Sequence, residues 1–525
     1  MNYASRIATA AASVATIAIA AGFLAVPAAT GQDRSDLAAR CSALAAAPMP
    51  ADVAIETARI VDAGPLAAGP PGSPAADLPL HCLVEGTINR RTGAGGKEYG
   101  IGFEVRLPAS WNGRFLLQGG GGLNGTVRPA IGPVASGDTP ALARGFAVAS
   151  HDSGHQGEVF DASFMTDQRA ALDFAEAAVL RTTLTARDLV QRVYGRAPHH
   201  SYMTGCSTGG REGMLASQRY PELFDGIVIG APAMRPGFSN LAIEHAQVAL
   251  NASEPAGASL PAAFTAPQLS AIHAEILKQC DARDGRADGM VMDVEGCRSF
   301  DPAPLVCTAD ASAGCLSRAR AEALRLAIAG PVDASGRPVY VPYPFDSGLT
   351  FSGPGLPGFL PVGQPGVFGP ASSARQIDVD ARVHDILWDA AGRLTDTAYW
   401  TNLNTYLGRG SKLMYFHGVS DPWFSAFDTW DYFQRAADTN GEAWEDAARF
   451  YMIPGMMHCG GGEAYDRFDL LGPMVEWVES AQAPGPVPAT RTDGKPGEVP
   501  LCPHPSYAHF DAAAQSFSCR KPAKS

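Results

Sequence analysis

Short runs in which β-branched and aromatic residues alternate with others, each stopped by glycine or proline, open the ordered part of the chain: CLVEGTINR, YGIGFEVRLP and GRFLLQGGGG. Alternation of this kind predicts strands. ARGFAVASHDSGH adds a strand that runs into a loop. From Asp167 to Gly195 the repeat lengthens to that of a helix and stops at glycine. Strand HSYMTG, helix GREGMLASQRYP and strand FDGIVIGAPA follow. Between about Met234 and Tyr399 the pattern loosens into Gly/Pro-rich stretches, notably Ser352 to Pro370, with helices over Ala266 to Lys278 and Ser317 to Ala329. Regular patterning resumes with strand KLMYFHGVSD, helix SAFDTWDYFQRAAD, strand ARFYMIPGMMHC and helix FDLLGPMVEWVES. Strands alternating with helices predict an α/β class built on a doubly wound sheet. The irregular insertion predicts a lid over one face of it. The expected division is core over 30–233, lid over 234–399 and the rest of the core over 400–525.

Composition adds the setting. Arg6 precedes an apolar run that ends in small residues around Pro27, Ala28 and Ala29, so residues 1–29 are expected to be a cleaved signal peptide of a secreted or periplasmic protein. No later window is apolar for long enough to span a bilayer. Of 525 residues, 46% are hydrophobic and 18% charged, enough to bury a large core. Lys and Arg number 40 against 53 Asp and Glu, a net charge of −13 with no basic run. That balance argues against nucleic acid or an anionic membrane as partner.

The chemistry is concentrated after strand ends. Gly205-Cys206-Ser207-Thr208-Gly209 has the G-x-S-x-G spacing of a nucleophilic serine on a strand-to-helix turn. A serine hydroxyl needs a histidine to take its proton and a carboxylate to orient that histidine. Asp421 and His458 each follow an apolar strand, in the chain order Ser, Asp, His of α/β-hydrolases. His417, Asp152 and His155 also lie at strand ends and are read as supporting loop residues. For the developing oxyanion, the N–H of Thr208 and a donor from LLQGGGGLNG, with Gly122 preferred, are the candidates.

Ten cysteines in an exported chain favour disulfides. Near-neighbour pairing gives Cys41 with Cys82, Cys280 with Cys297, Cys307 with Cys315 and Cys502 with Cys519. Cys206 and Cys459 remain, adjoining Ser207 and His458; they either bond to each other or stay as buried thiols. A bond would hold nucleophile and base side by side. Within CDARDGRADGMVMDVEGC, the carboxylates of Asp281, Asp284 and Asp288, with the backbone carbonyls of Arg286 and Met290, suit a structural Ca2+. A solvated acidic turn is the alternative.

Together the Cys-Ser pair, the distant Asp421 and the His-Cys pair resemble the tannase and feruloyl esterase family, as do WNGRF, GCSTGGREGM, CDARDGRADG, YFHGVSD and PGMMHC. The resemblance covers nearly the whole mature chain. It implies an α/β-hydrolase fold with a lid, a lid calcium, five disulfides and a small-molecule aromatic ester as substrate. Family members that act on terephthalate half-esters hold the free carboxylate with a lid arginine. Between Arg337 and Arg375 this chain has no Arg or Lys. Neutral phenolic esters are therefore the expected substrates, with Phe359 and Phe368 as ring contacts and the terephthalate half-ester as alternative. A non-catalytic calcium-dependent binding protein and an acyltransferase are the rival readings.

Overall fold

The computed structural model describes residues 31–65, 77–308, 313–346 and 372–522. Phe359, Phe368 and the expected signal peptide lie outside them. Nine strands form the main sheet: β1 (Val53–Val61), β2 (His81–Thr92), β3 (Glu98–Pro108), β4 (Arg114–Gln118), β5 (Ala147–His151), β6 (His200–Cys206), β7 (Gly226–Gly230), β8 (Lys412–Gly418) and β9 (Ala448–Ile453). Their spatial order is β1-β2-β3-β5-β4-β6-β7-β8-β9. The first three pairings are antiparallel and the remaining five parallel.

The parallel half is apolar on both faces, because helices cover both sides. Phe115 and Leu117 of β4, Ile227 and Ile229 of β7, and Leu413 and Tyr415 of β8 enter one core cluster. Their neighbours Leu116, Val228, Met414 and Phe416 enter the other. The helical repeat from Asp167 folds as a short helix, a single π turn over Asp173–Ala177 and the helix Ala178–Tyr194, closed by left-handed Gly195.

The looser region is more helical than its pattern predicts. Helix Pro236–Ala252 and helix Val379–Trp388 join the two expected there, which form as Ala266–Cys280 and Arg318–Ala329. Phe238, Phe264, Ile272, Leu324 and Tyr340 build an apolar cluster of their own. Four short strands near the C-terminus (Val487–Thr490, Glu498–Leu501, Tyr507–Asp511 and Ser516–Arg520) and β1 were not expected from the pattern. Met290 and Met292 pack on these C-terminal strands, against Val499, Cys502 and Ala508. No helix among the described residues is long and apolar enough to cross a membrane.

Candidate active site

The parallel strands all point their carboxyl ends toward one edge, where α/β sheets place their ligands. β6 runs straight into Ser207, whose backbone sits at φ 64°, ψ −121°, a conformation L residues rarely adopt. Glycine makes that turn possible. A Cβ on Gly205 would come within 2.3 Å of the Gly209 carbonyl oxygen, and one on Gly210 within 2.2 Å of that of Gly230. The Ser207 N–H donates to Gly230 at 3.0 Å, and a helix begins at Thr208.

Asp421 follows β8 and is buried, with Oδ2 at 2.6 Å from His458 Nδ1 and 3.2 Å from His417 Nε2. Its Oδ1 accepts the backbone N–H groups of Trp423 and Phe424 at 2.8 and 3.1 Å. Burial alone would push this carboxyl up. The charges and hydrogen bonds of His458 and His417 outweigh burial and hold Asp421 well below the usual carboxylate range. A carboxylate can only accept, so Nδ1 of His458 carries a hydrogen, and in the neutral imidazole Nε2 is the nitrogen with the lone pair. Nε2 has no hydrogen-bond partner among the described residues. Asp346, from the inserted region, accepts the Gly455 N–H at 2.7 Å and the Ser420 hydroxyl, so it joins the loops that carry His458 and Asp421.

The four near-neighbour pairs form as the spacing suggests, 41–82, 280–297, 307–315 and 502–519, and of the two alternatives left for Cys206 and Cys459 the bond is the one seen, at a Cα separation of 5.9 Å. Ser207 and His458 line one cavity of about 1640 Å³, together with Gly122, Thr208, Phe160 and Trp423. The Trp423 ring lies 4.5 Å from the His458 imidazole, a neighbour that sequence reading missed. Gly122 has φ +59°, and its carbonyl accepts the Thr208 hydroxyl. Its N–H donates to no group among the described residues.

Cations are not lacking, contrary to the expectation from residues 338–374. Arg235 and Arg382 line the cavity but are engaged by Asp428 and Glu244. Arg128 and Arg393 line it with exposed side chains and no side-chain partner among the described residues. Arg393 lies beyond residues 338–374, the stretch that is free of Arg and Lys.

In the acidic loop, Asp281 and Asp284 are buried at 7% and 1% exposure. Asp281 accepts from the N–H groups of Asp288 and Gly289, and Asp284 from those of Arg286 and Met292. Burial, helped by the charges of Asp288 and Asp281, pushes the Asp284 carboxyl up to about 7. The three carboxylates do not gather within 4.8 Å of one another; among the described residues only His199, His200 and Glu479 do so. Glu479 is already held by Arg114 at 2.7 Å. Asp281 and Asp284 are buried oxygen donors of the kind calcium takes, while Asp288 is paired with Arg286 at 3.4 Å.

Strand order and the strand-to-helix turn at Ser207 define the class, an α/β-hydrolase. The tannase and feruloyl esterase model matches residues 82–356 and 374–520, and the chain belongs to that family. It is 35% identical to mono(2-hydroxyethyl) terephthalate hydrolase of Piscinibacter sakaiensis over 89% of this chain and 88% of that one. It is 29% identical to the probable feruloyl esterase B-2 of Aspergillus flavus, over 78% and 80%. The crystal structure of feruloyl esterase B from Aspergillus oryzae has the same fold, with a TM-score of 0.75 at 24% identity, covering 92% of this chain and all of that one. The chain is a carboxylic ester hydrolase, and the non-catalytic binding reading falls.

Proposed function

We propose that this hydrolase cleaves esters of aromatic carboxylic acids through an acyl-enzyme on Ser207, with His458 as general base and Asp421 as the group that orients it. The observation that carries the reading is the Cys206–Cys459 bond, which ties the residue before Ser207 to the residue after His458 while Asp421 holds Nδ1. Nε2 takes the Ser207 proton as Oγ attacks the ester carbonyl, then returns it to the departing alcohol. The Thr208 and Gly122 N–H groups stabilise the oxyanion. Water repeats the sequence on the acyl-enzyme, and a fluorophosphonate should label the parent but not Ser207→Ala. Turnover of methyl ferulate, methyl gallate and mono(2-hydroxyethyl) terephthalate identifies the acyl group; no labelling and no turnover by the parent would refute the reading. Product analysis with added alcohol tests acyl transfer.

A second reading, hydrolysis of terephthalate half-esters, is favoured by Arg393, a cavity cation with no side-chain partner among the described residues and suited to a substrate carboxylate. The region 234–399 serves as the lid. Asp281, Asp284 and Asp288, with the carbonyls of Arg286 and Met290, would hold Ca2+, which would neutralise buried charge and brace the loop on the C-terminal strands. Five disulfides support export to an oxidising compartment, secreted or periplasmic.

A further inference from the structure

We infer that Glu212 is the positioning residue of the oxyanion hole, an assignment that rests on the Ser207 reading above. Glu212 lies on the helix that starts at Thr208 and is 1% exposed. Its Oε2 accepts the Gly120 N–H at 2.9 Å. Its Oε1 accepts from Asn124 Nδ2 and from Ser153 Oγ, each at 3.3 Å. Gly120 and Asn124 flank Gly122, so one carboxylate grips both ends of the segment that presents the second donor. Ser153 ties in the loop after β5.

Burying a carboxylate is expensive unless donors surround it, and an apolar side chain would fill a plain core position better. The guanidinium of neighbouring Arg211 does not serve it; that group donates to the carbonyls of Phe174 and Ala175. The glycine segment is also seated on the same helix. The Gly209 N–H donates to the Gly120 carbonyl at 3.1 Å, and a Cβ on Gly119 would come within 2.6 Å of the Gly209 Cα. Glu212 thereby fixes the distance between the Thr208 and Gly122 N–H groups. Those donors act only on charge that develops in the transition state.

Glu212→Gln keeps size and one acceptor but turns an NH2 toward donors. It should lower kcat by about 100-fold, the loss typical of a misplaced or missing oxyanion donor, with KM within about twofold. Fluorophosphonate labelling should slow in parallel. Amide exchange should quicken over residues 119–124 and stay as in the parent elsewhere. Ser153→Ala, which removes one donor and leaves the charge, should show the same signature more weakly. Unchanged kcat in both variants, a rise confined to KM, or exchange that quickens across the whole molecule would overturn the assignment. Because exchange needs no turnover, an inert parent would sink the hydrolase mechanism, whereas undisturbed exchange over 119–124 would sink the role of Glu212.

Discussion

Replacing both Cys206 and Cys459 by alanine separates what the bond does for the site from what it does for the fold. The two cysteines are 253 residues apart. Chain-entropy arithmetic for a loop of that length gives about 5 kcal/mol of stabilisation as a ceiling. Unfolding entropy for a chain of this size is about 1 kcal/mol per degree, so Tm should fall by about 5 °C. At 25 °C the variant should remain folded. Its kcat should nevertheless fall about 10- to 100-fold, because a displacement of about 1 Å between Ser207 and His458 is enough for such a loss. Parallel measurement of kcat at 25 °C and of Tm decides the matter. If kcat is retained, or falls only with the folded fraction, the hydrogen bonds around Ser207 and Asp421 hold the geometry alone and the reasoning fails.

Chelation should lower Tm by about 3 °C if calcium is present at a hundredfold excess over Kd, which contributes about 2.7 kcal/mol; an unchanged Tm would remove the metal. Arg393→Ala should raise KM about tenfold for mono(2-hydroxyethyl) terephthalate, the loss of one charged hydrogen-bonded pair, and leave methyl ferulate unaffected. Equal effects on both esters would deny Arg393 a carboxylate partner. Asp152 accepts the N–H groups of Gly102 and Gly154, yet burial pushes its carboxyl from 3.8 to about 7. The folded chain therefore holds this proton more tightly than the unfolded one, and the resulting stability, up to about 4 kcal/mol, is present at low pH and is lost as pH rises toward and through 7. Asp152→Asn should gain in Tm relative to the parent between pH 5 and pH 9; a constant difference would contradict this.

The gathering of Ser207, Asp421 and His458 at one edge of the sheet was legible because each comes at or soon after the end of an apolar strand, and strand ends converge in a parallel sheet. The local cysteine pairs were legible from spacing. Glu212 was not, since a glutamate in a helix beside an arginine reads as a solvated face until the glycine segment is seen against it. The pattern puts His417 at a strand end, but its contact with the Asp421 carboxylate depends on the loop folding back. Helix Pro236–Ala252 is not legible in the pattern because its apolar residues, among them Phe238, Leu241, Ala242 and Val248, lack a single clean stripe. Strands as short as Val487–Thr490, with proline inside, carry too little alternation to stand out.

The bond between Cys206 and Cys459 also changes what a protease can do to this molecule. Every peptide link from 207 to 458 lies inside its ring, including the whole inserted region. A single cut there yields two pieces that still migrate together without reductant and part only when one is added. Such a clipped molecule keeps its serine and histidine fastened to each other, so damage to the covering segment does not scatter the machinery beneath.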